Sequence, residues 1–196
     1  VNTSQQHNYV ADLGEYVRDL GDMTPLTWNR LHEIPEHMSF VLKGATNSKK
    51  SYWLTHMFAA DRKEACQVHS RLCADGLVGD QDIYIRQFVP LHTYFEDVVG
   101  LPVTKEFRFF VLRGKVLCGG FYWANHVEEV ARVAGKVPDP SEVPMSFLQE
   151  AIRRIGTKVN FYTLDVAQTA SGDWIVIELN DGQMAGLSCI DPDVFY

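Results

Sequence analysis

The chain has 196 residues and carries 18 Lys and Arg against 25 Asp and Glu, a formal net charge of −7. That balance excludes broad contact with nucleic acid, which needs clustered positive charge to meet phosphates. With 46% hydrophobic and 22% charged residues, the composition is that of a globular protein with enough chain for a sizeable core in one domain or two small lobes. No apolar run approaches the roughly 18 residues that a membrane-spanning helix requires. Val1 to Val10 is polar, unlike a signal segment, so the expected location is cytoplasmic. Cys66, Cys73, Cys118 and Cys189 form no CxxC pair and are too scattered for a disulfide framework. They are expected to be reduced and mostly structural, because free cysteine is among the most buried residue types.

The spacing of Tyr9, Leu13, Tyr16, Val17 and Leu20 predicts a helix stopped by Gly21. Thr24 before Pro25 reads as a second helix start, running to about His32 and closed before Pro35. Ser39 to Gly44 (SFVLKG) is a short buried strand that delivers Lys43 to its tip, and Ala45 to Lys50 (ATNSKK) is a small, hydroxylic, basic loop. Tyr52 to Ala59 suits another strand. Asp61 and Glu64 make a capping-box-like start for a helix through Leu72. Asp82 to Val89 alternates like a strand and stops at Pro90.

From Glu106, the segments EFRFFVL and VLCGGFYW flank the turn Arg113-Gly114-Lys115 and predict a hairpin, with Arg113 and Lys115 exposed at its tip. Asn125 to Pro144, with Pro138 and Pro140 inside it, is expected to include a mobile loop. Ser146 to Ile155 is an amphipathic helix ended by Gly156, and a second hairpin, Phe161 to Gln168 and Trp174 to Asn180, turns at Ser171-Gly172-Asp173. Helices and strands mix without strict alternation, so the fold class is α+β with largely antiparallel sheets.

Common catalytic signatures are missing. Pro35 interrupts His32-Glu33 and His37, and there is no GxGxxG, no GxxxxGK[ST] and no GxSxG. The C-terminal hairpin carries chemistry. Glu178 and Asn180 are two apart and share a strand face. Pairing around Ser171-Gly172 brings Asp165 opposite them. Three oxygen donors on one face suit Mg²⁺ with substrate phosphates completing the shell; solvated strand ends are the alternative reading. Arg108, flanked by Phe107 and Phe109, should face away from both. Its planar fork, like that of Arg86, suits a phosphate or a carboxylate of a substrate; the alternative is a salt bridge to Glu106 or a neighbouring acid.

A strand-borne Lys43, a small-residue loop, a strand ending in Arg86-Gln87-Phe88-Val89, the hairpin KEFRFFVLRGKV and the stretch LDVAQTASGDWIVIELN follow one another in an order that resembles the ATP-grasp superfamily over about residues 38 to 190. From SFVLKGATNSKK through TKEFRFFVL the chain is similar to a phage and bacterial branch named for two arginines and a lysine. The resemblance implies an ATP-grasp fold, two α+β lobes with largely antiparallel sheets. Residues 38–95 would form the small lobe and 96–196 the large lobe, after a helical accessory segment 1–37.

The implied cofactors are ATP and Mg²⁺. By the resemblance, Lys43 would bind the α/β-phosphates, and the loop with Thr46, Ser48 and Lys49 or Lys50 would close over them. Gln87, Phe88 and Val89 would form the adenine hinge, Gln87 standing where many members carry glutamate. Arg86 and Glu106 belong to the same nucleotide-binding set, Lys43 and Arg108 to catalysis, and Asp165, Glu178 and Asn180 map onto the metal ligands. The implied reaction is ADP-forming ligation of a carboxylate to an amine through an acylphosphate, which needs positioning and charge neutralisation rather than a nucleophilic side chain. The implied partners are ATP and an unidentified carboxylate and amine. Family members usually carry another domain ahead of the core. The short leading segment here leads us to expect a reduced or truncated module, with an acceptor site built by another protein or missing altogether, and a protein partner or a homo-oligomer. A nucleotide-binding interaction module and a kinase are the alternatives. His126 and the chain to Pro144 would form an acceptor-side lid or a plain surface loop.

Overall fold

In the computed structural model, which describes residues 1–195, the chain opens with helices α1 (Ser4–Ala11) and α2 (Leu13–Leu20) and a short strand β1 (Thr27–Trp28). Next come β2 (Phe40–Gly44), β3 (Phe58–Ala59), α3 (Arg62–Cys73) and β4 (Ile83–Gln87). A small ribbon of β5 (Thr93–Glu96) and β6 (Pro102–Thr104) precedes the hairpin of β7 (Glu106–Leu112) and β8 (Lys115–Phe121). The chain ends with α4 (Val127–Ala134), α5 (Met145–Ile155), β9 (Phe161–Gln168), β10 (Trp174–Asp181) and α6 (Pro192–Phe195). The strands form two four-stranded sheets, ordered β1-β4-β2-β3 and β10-β9-β7-β8, and every pairing is antiparallel.

Each sheet buries one face against helices. In the first, Ala65, Val68 and Leu72 of α3 pack on Phe40, Leu42, Ile83 and Ile85. In the second, Phe107, Phe109, Leu164, Val166 and Val176 meet Leu148, Ala151 and Ile155 of α5 and Leu13, Tyr16 and Leu20 of α2. Burial of each Val, Leu, Ile or Phe among these stabilises by about 1.5–3 kcal/mol. The period-2 alternation that sends Phe107 and Phe109 into this core sends Arg108 to the opposite face.

Gly21 ends α2 at φ 55, and the long N-terminal helix is split at Asp12, whose carboxylate leaves the helix to cap α2 through the Gly14 N–H. The helix expected from Thr24 does not form. Thr24 is extended because its hydroxyl, needed for a cap, is engaged by Arg86 and the Val176 carbonyl. The chain continues as β1, and only Leu31–Glu33 is helical, as a 3₁₀ turn.

Tyr52 to Ala59 is likewise not one strand. Lys50–Tyr52 is a 3₁₀ turn and Trp53–Met57 a π-turn, leaving Phe58 and Ala59 to pair with Val41 and Phe40. Trp53 turns back to stack on Phe58, with ring centroids 6.1 Å apart. Most of Asn125 to Pro144 is helical: α4, closed by Gly135 at φ 77, and a 3₁₀ turn with an Asp139 capping box, joined by a short connection over 135–139. The cysteines are free but not buried: Cys66 and Cys73 are exposed on α3, and Cys118 and Cys189 are half-buried. Among the described residues, no helix is long and apolar enough to cross a membrane.

Candidate functional site

Between the two sheets lies a cavity of about 430 Å³, apolar at one end and charged at the other. Val41, Met57, Phe58, Phe88, Leu101, Ile175 and Ile177 line the apolar end. Phe88 meets Phe58 edge-on at 5.1 Å. The connection leaving β4 forms the back of this end, where Gln87 donates its N–H to the Leu26 carbonyl and Phe88 donates to that of Ser39, both at 2.8 Å. Of the three expected hinge amides, only that of Val89 has no partner among the described residues.

Two cations project from the first half of the chain into the other end. Lys43, 7% exposed on β2, donates to Glu178 of β10. Burial would push the Glu178 carboxyl up, but Lys43 and Lys50 hold it down at about 2. Lys50 donates to the Tyr122 hydroxyl at 2.7 Å and stands 4.5 Å from the Tyr122 ring centre and 5.3 Å from that of Trp123. Burial disfavours its charge, yet Tyr122, Glu106 and Glu178 outweigh that and raise the ammonium above its ordinary value.

Behind this layer, register sets Arg108, Asp165 and Glu178 in one row across β7, β9 and β10. Arg108 donates to both Asp165 oxygens, at 2.8 and 2.7 Å, and to the Gly186 carbonyl at 2.9 Å. Asp165 is fully buried. Burial works against the guanidinium charge and Asp165 more than offsets it, so Arg108 lies above its ordinary value. Tyr122 sits between the two cations, the Arg108 guanidinium 5.0 Å from its ring centre. Sequence reasoning misses Tyr122, whose one signal is its place at the end of the strand paired with β7, where its N–H donates to the Glu106 carbonyl. Glu106 itself is buried in the cavity wall with one long hydrogen bond, from Thr104 at 3.3 Å. Burial pushes its carboxyl up to about 7, with Asp165 and Glu178 acting in the same direction against Lys50 and Arg108.

Lys43, Ser48, Lys50, Arg86, Gln87, Phe88, Val89, Glu106 and Glu178 therefore share one cavity. Thr46 does not join them. It is exposed and bonded to the Gln81 side chain, and Lys49 pairs with Asp75 at 2.8 Å. Arg86 faces the cavity with its terminal nitrogens already engaged, at 2.6 Å to the Ile177 carbonyl and 2.7 Å to the Thr24 hydroxyl. The acid that pairs with Arg108 is Asp165, not Glu106, because Asp165 is directly opposite it in the ladder. Arg113 and Lys115 are exposed at the hairpin tip.

Asn180 follows two residues after Glu178 on β10, opposite Thr163. Asp165, Glu178 and Asn180 are all oxygen donors, a set that fits a hard divalent cation, and Lys43 marks the side of Glu178 that attracts positive charge. Among the described residues, no three His, Cys, Asp or Glu side chains converge as a metal cluster. Such an ion would therefore draw ligands from Asn180 or from a bound anion as well.

Residues 26–196 match the model of a family described as an ATP-grasp domain, family 3 of the clade named for two arginines and a lysine. Among solved structures, the chain is similar to Cdc123 from Schizosaccharomyces pombe, at 13% identity and a TM-score of 0.59, covering 95% of this chain and 90% of that one. It is similar to the ATP-grasp ligase PsnB in complex with a phosphomimetic variant of its minimal precursor, Mg and ADP, at 12% identity and a TM-score of 0.54, covering 93% and 52%. It also resembles an L-amino acid ligase from Bacillus licheniformis, at 13% identity and a TM-score of 0.53, covering 90% and 41%. At these identities the likeness is one of fold, and the chain spans about half the length of PsnB and less of the amino acid ligase. No curated protein matches the sequence.

Proposed function

The chain belongs to the third family of this two-arginine, one-lysine clade of ATP-grasp domains, and from that premise we propose that it is an ATP- and Mg²⁺-dependent ligase that activates a carboxylate for attack by an amine. The observation that carries this reading is the cavity itself, an aromatic and aliphatic slot at one end and two lysines beside the carboxylates of Glu106 and Glu178 at the other. Phe58, Phe88 and Ile175 would sandwich the base, and the Val89 N–H and the Gln87 carbonyl would meet its edge. Lys43 and Lys50 would hold the phosphates, with Ser48 beside them. Glu178 and Asn180, backed by Asp165, would hold Mg²⁺, which supplies charge neutralisation to the phosphates. Arg108, fixed by Asp165, would orient the acceptor or the transferring group.

In this reading a carboxylate oxygen of the acceptor attacks the γ-phosphorus and ADP leaves. The amine then displaces phosphate from the acylphosphate. PsnB, whose ligand is a precursor peptide, makes a peptide carboxylate one acceptor to test. A nucleotide-binding module without turnover is the second reading, favoured because both carboxylates are already closed by cations of the chain.

The test is ADP release by the purified protein with Mg²⁺ and ATP across a panel of carboxylates and amines. Amine-dependent ADP formation supports the ligase. Mg²⁺- and ATP-dependent thermal stabilisation without ADP supports the binding module, and phosphorylated product without amine dependence a kinase. No stabilisation by Mg²⁺ and ATP overturns the site assignment.

A further inference from the structure

β10 carries a bulge, and Glu178 faces the cleft because of it. Trp174, Ile175 and Val176 pair in order with Gln168, Ala167 and Val166, but the next partner of Asp165 is Glu178, so Ile177 is an extra residue. Without it, Ile177 would stand opposite Asp165 and Glu178 opposite Leu164, whose side chain is in the apolar core. A one-residue slip of this kind sends every following side chain to the other face.

Both carbonyls at the bulge are gripped from outside the sheet. Thr24 donates its hydroxyl to the Val176 carbonyl at 2.9 Å, and Arg86 donates to the Ile177 carbonyl at 2.6 Å. Arg86 also donates to the Thr24 hydroxyl at 2.7 Å, which closes the three groups into one network. Thr24 and Arg86 are 7% and 6% exposed, and the buried Arg86 Nε has no partner among the described residues, so the guanidinium is oriented for these bonds at the expense of its third donor position. The same segment is stitched to β4 through the pairing of Thr27 with Arg86.

We propose that Thr24 and Arg86 are positioning residues for Glu178. Through the bulge, the segment ahead of the first sheet sets the aim of a carboxylate in the second. The inference rests on the nucleotide reading above for its functional consequence, though not for its structural one.

The experiment titrates Mg²⁺ into protein with the ATP analogue AMPPNP, using the wild type, Thr24→Val and Thr24→Ser. Thr24→Val keeps the shape and removes the hydroxyl; it should raise the half-saturating Mg²⁺ concentration about tenfold, as loss of an outer-layer partner does at metal sites. Thr24→Ser should restore it. An unchanged midpoint in Thr24→Val, or equal shifts in both variants, overturns the proposal, even if Thr24→Val melts at a lower temperature. If the wild type shows no Mg²⁺-dependent AMPPNP binding, the nucleotide reading fails. A crystal structure of Thr24→Val then decides: Ile177 opposite Asp165, or a broken Lys43–Glu178 pair, supports the proposal, and an unaltered register with the pair intact overturns it. If Thr24→Val does not fold, Arg86→Lys is measured in the same two assays with the same outcomes.

Discussion

At Glu106 the folded chain keeps a proton that the unfolded chain releases. Its carboxyl, buried to 4% exposure, is pushed up to about 7 against an ordinary 4.5. The stabilisation from this proton is complete below about 4.5 and is lost as pH rises through about 7. Urea unfolding at pH 5 and pH 8 should show this as about 1–3 kcal/mol, and Glu106→Gln should flatten the dependence. Equal slopes for both proteins would contradict it. The two carboxylates on β9 and β10 should separate in another way. Asp165→Asn breaks a fully buried bidentate pair and should cost about 3–5 kcal/mol in denaturant unfolding. Glu178→Gln, at a position open to the cleft, should cost about 1–2 kcal/mol while abolishing Mg²⁺-dependent nucleotide binding. Lys43, Glu178 and Asp165 were legible in the sequence because charge inside an apolar strand demands a partner. Tyr122 was not, since in the sequence it is one of three consecutive aromatics, Phe121, Tyr122 and Trp123, and nothing there marks it as standing between two cations.

Elements with strong periodicity were legible, and those shaped by distant contacts were not. The hairpin of β7 and β8 and helix α5 follow from local pattern alone. Thr24, which looks like a helix cap, is drawn into a network with residues far along the chain. Tyr52 to Met57 has the composition of a strand, yet it coils into the cavity wall, where Trp53 turns back to stack on Phe58. The bulge in β10 did leave a trace: Val176 and Leu179 are both in the core, a spacing of three that strict alternation does not allow. At this scale the N-terminal helices matter more than their position suggests. Removing residues 1–22 strips Leu13, Tyr16 and Leu20 from α5 and the second sheet. We expect a product without cooperative unfolding by calorimetry, and a sharp transition would refute that expectation.

Across the whole molecule, the antiparallel α+β class and the two-sheet frame were visible from element order. The depth of the cleft between the sheets was not, because it depends on packing rather than on pattern. A ligand that touches both sheets should stabilise them together. Mg²⁺ and ATP at about a hundredfold excess over the dissociation constant should add about 2.7 kcal/mol, a rise in melting temperature of about 5–10 °C for a chain of this size. Lys43→Ala should remove the rise. The pairing of Lys43 with Glu178 has a further consequence for which ligand the cleft accepts. Glu178 at the cleft is matched to Lys43, and Asp165 behind it to Arg108. A bare triphosphate that takes Lys43 strands an anion in a poorly solvated place, whereas one arriving with its own dication permits a swap of counterions in which no charge is left alone. In the proposed nucleotide reading, the cleft would select the metal complex over the free nucleotide, by the balance of charge rather than by shape.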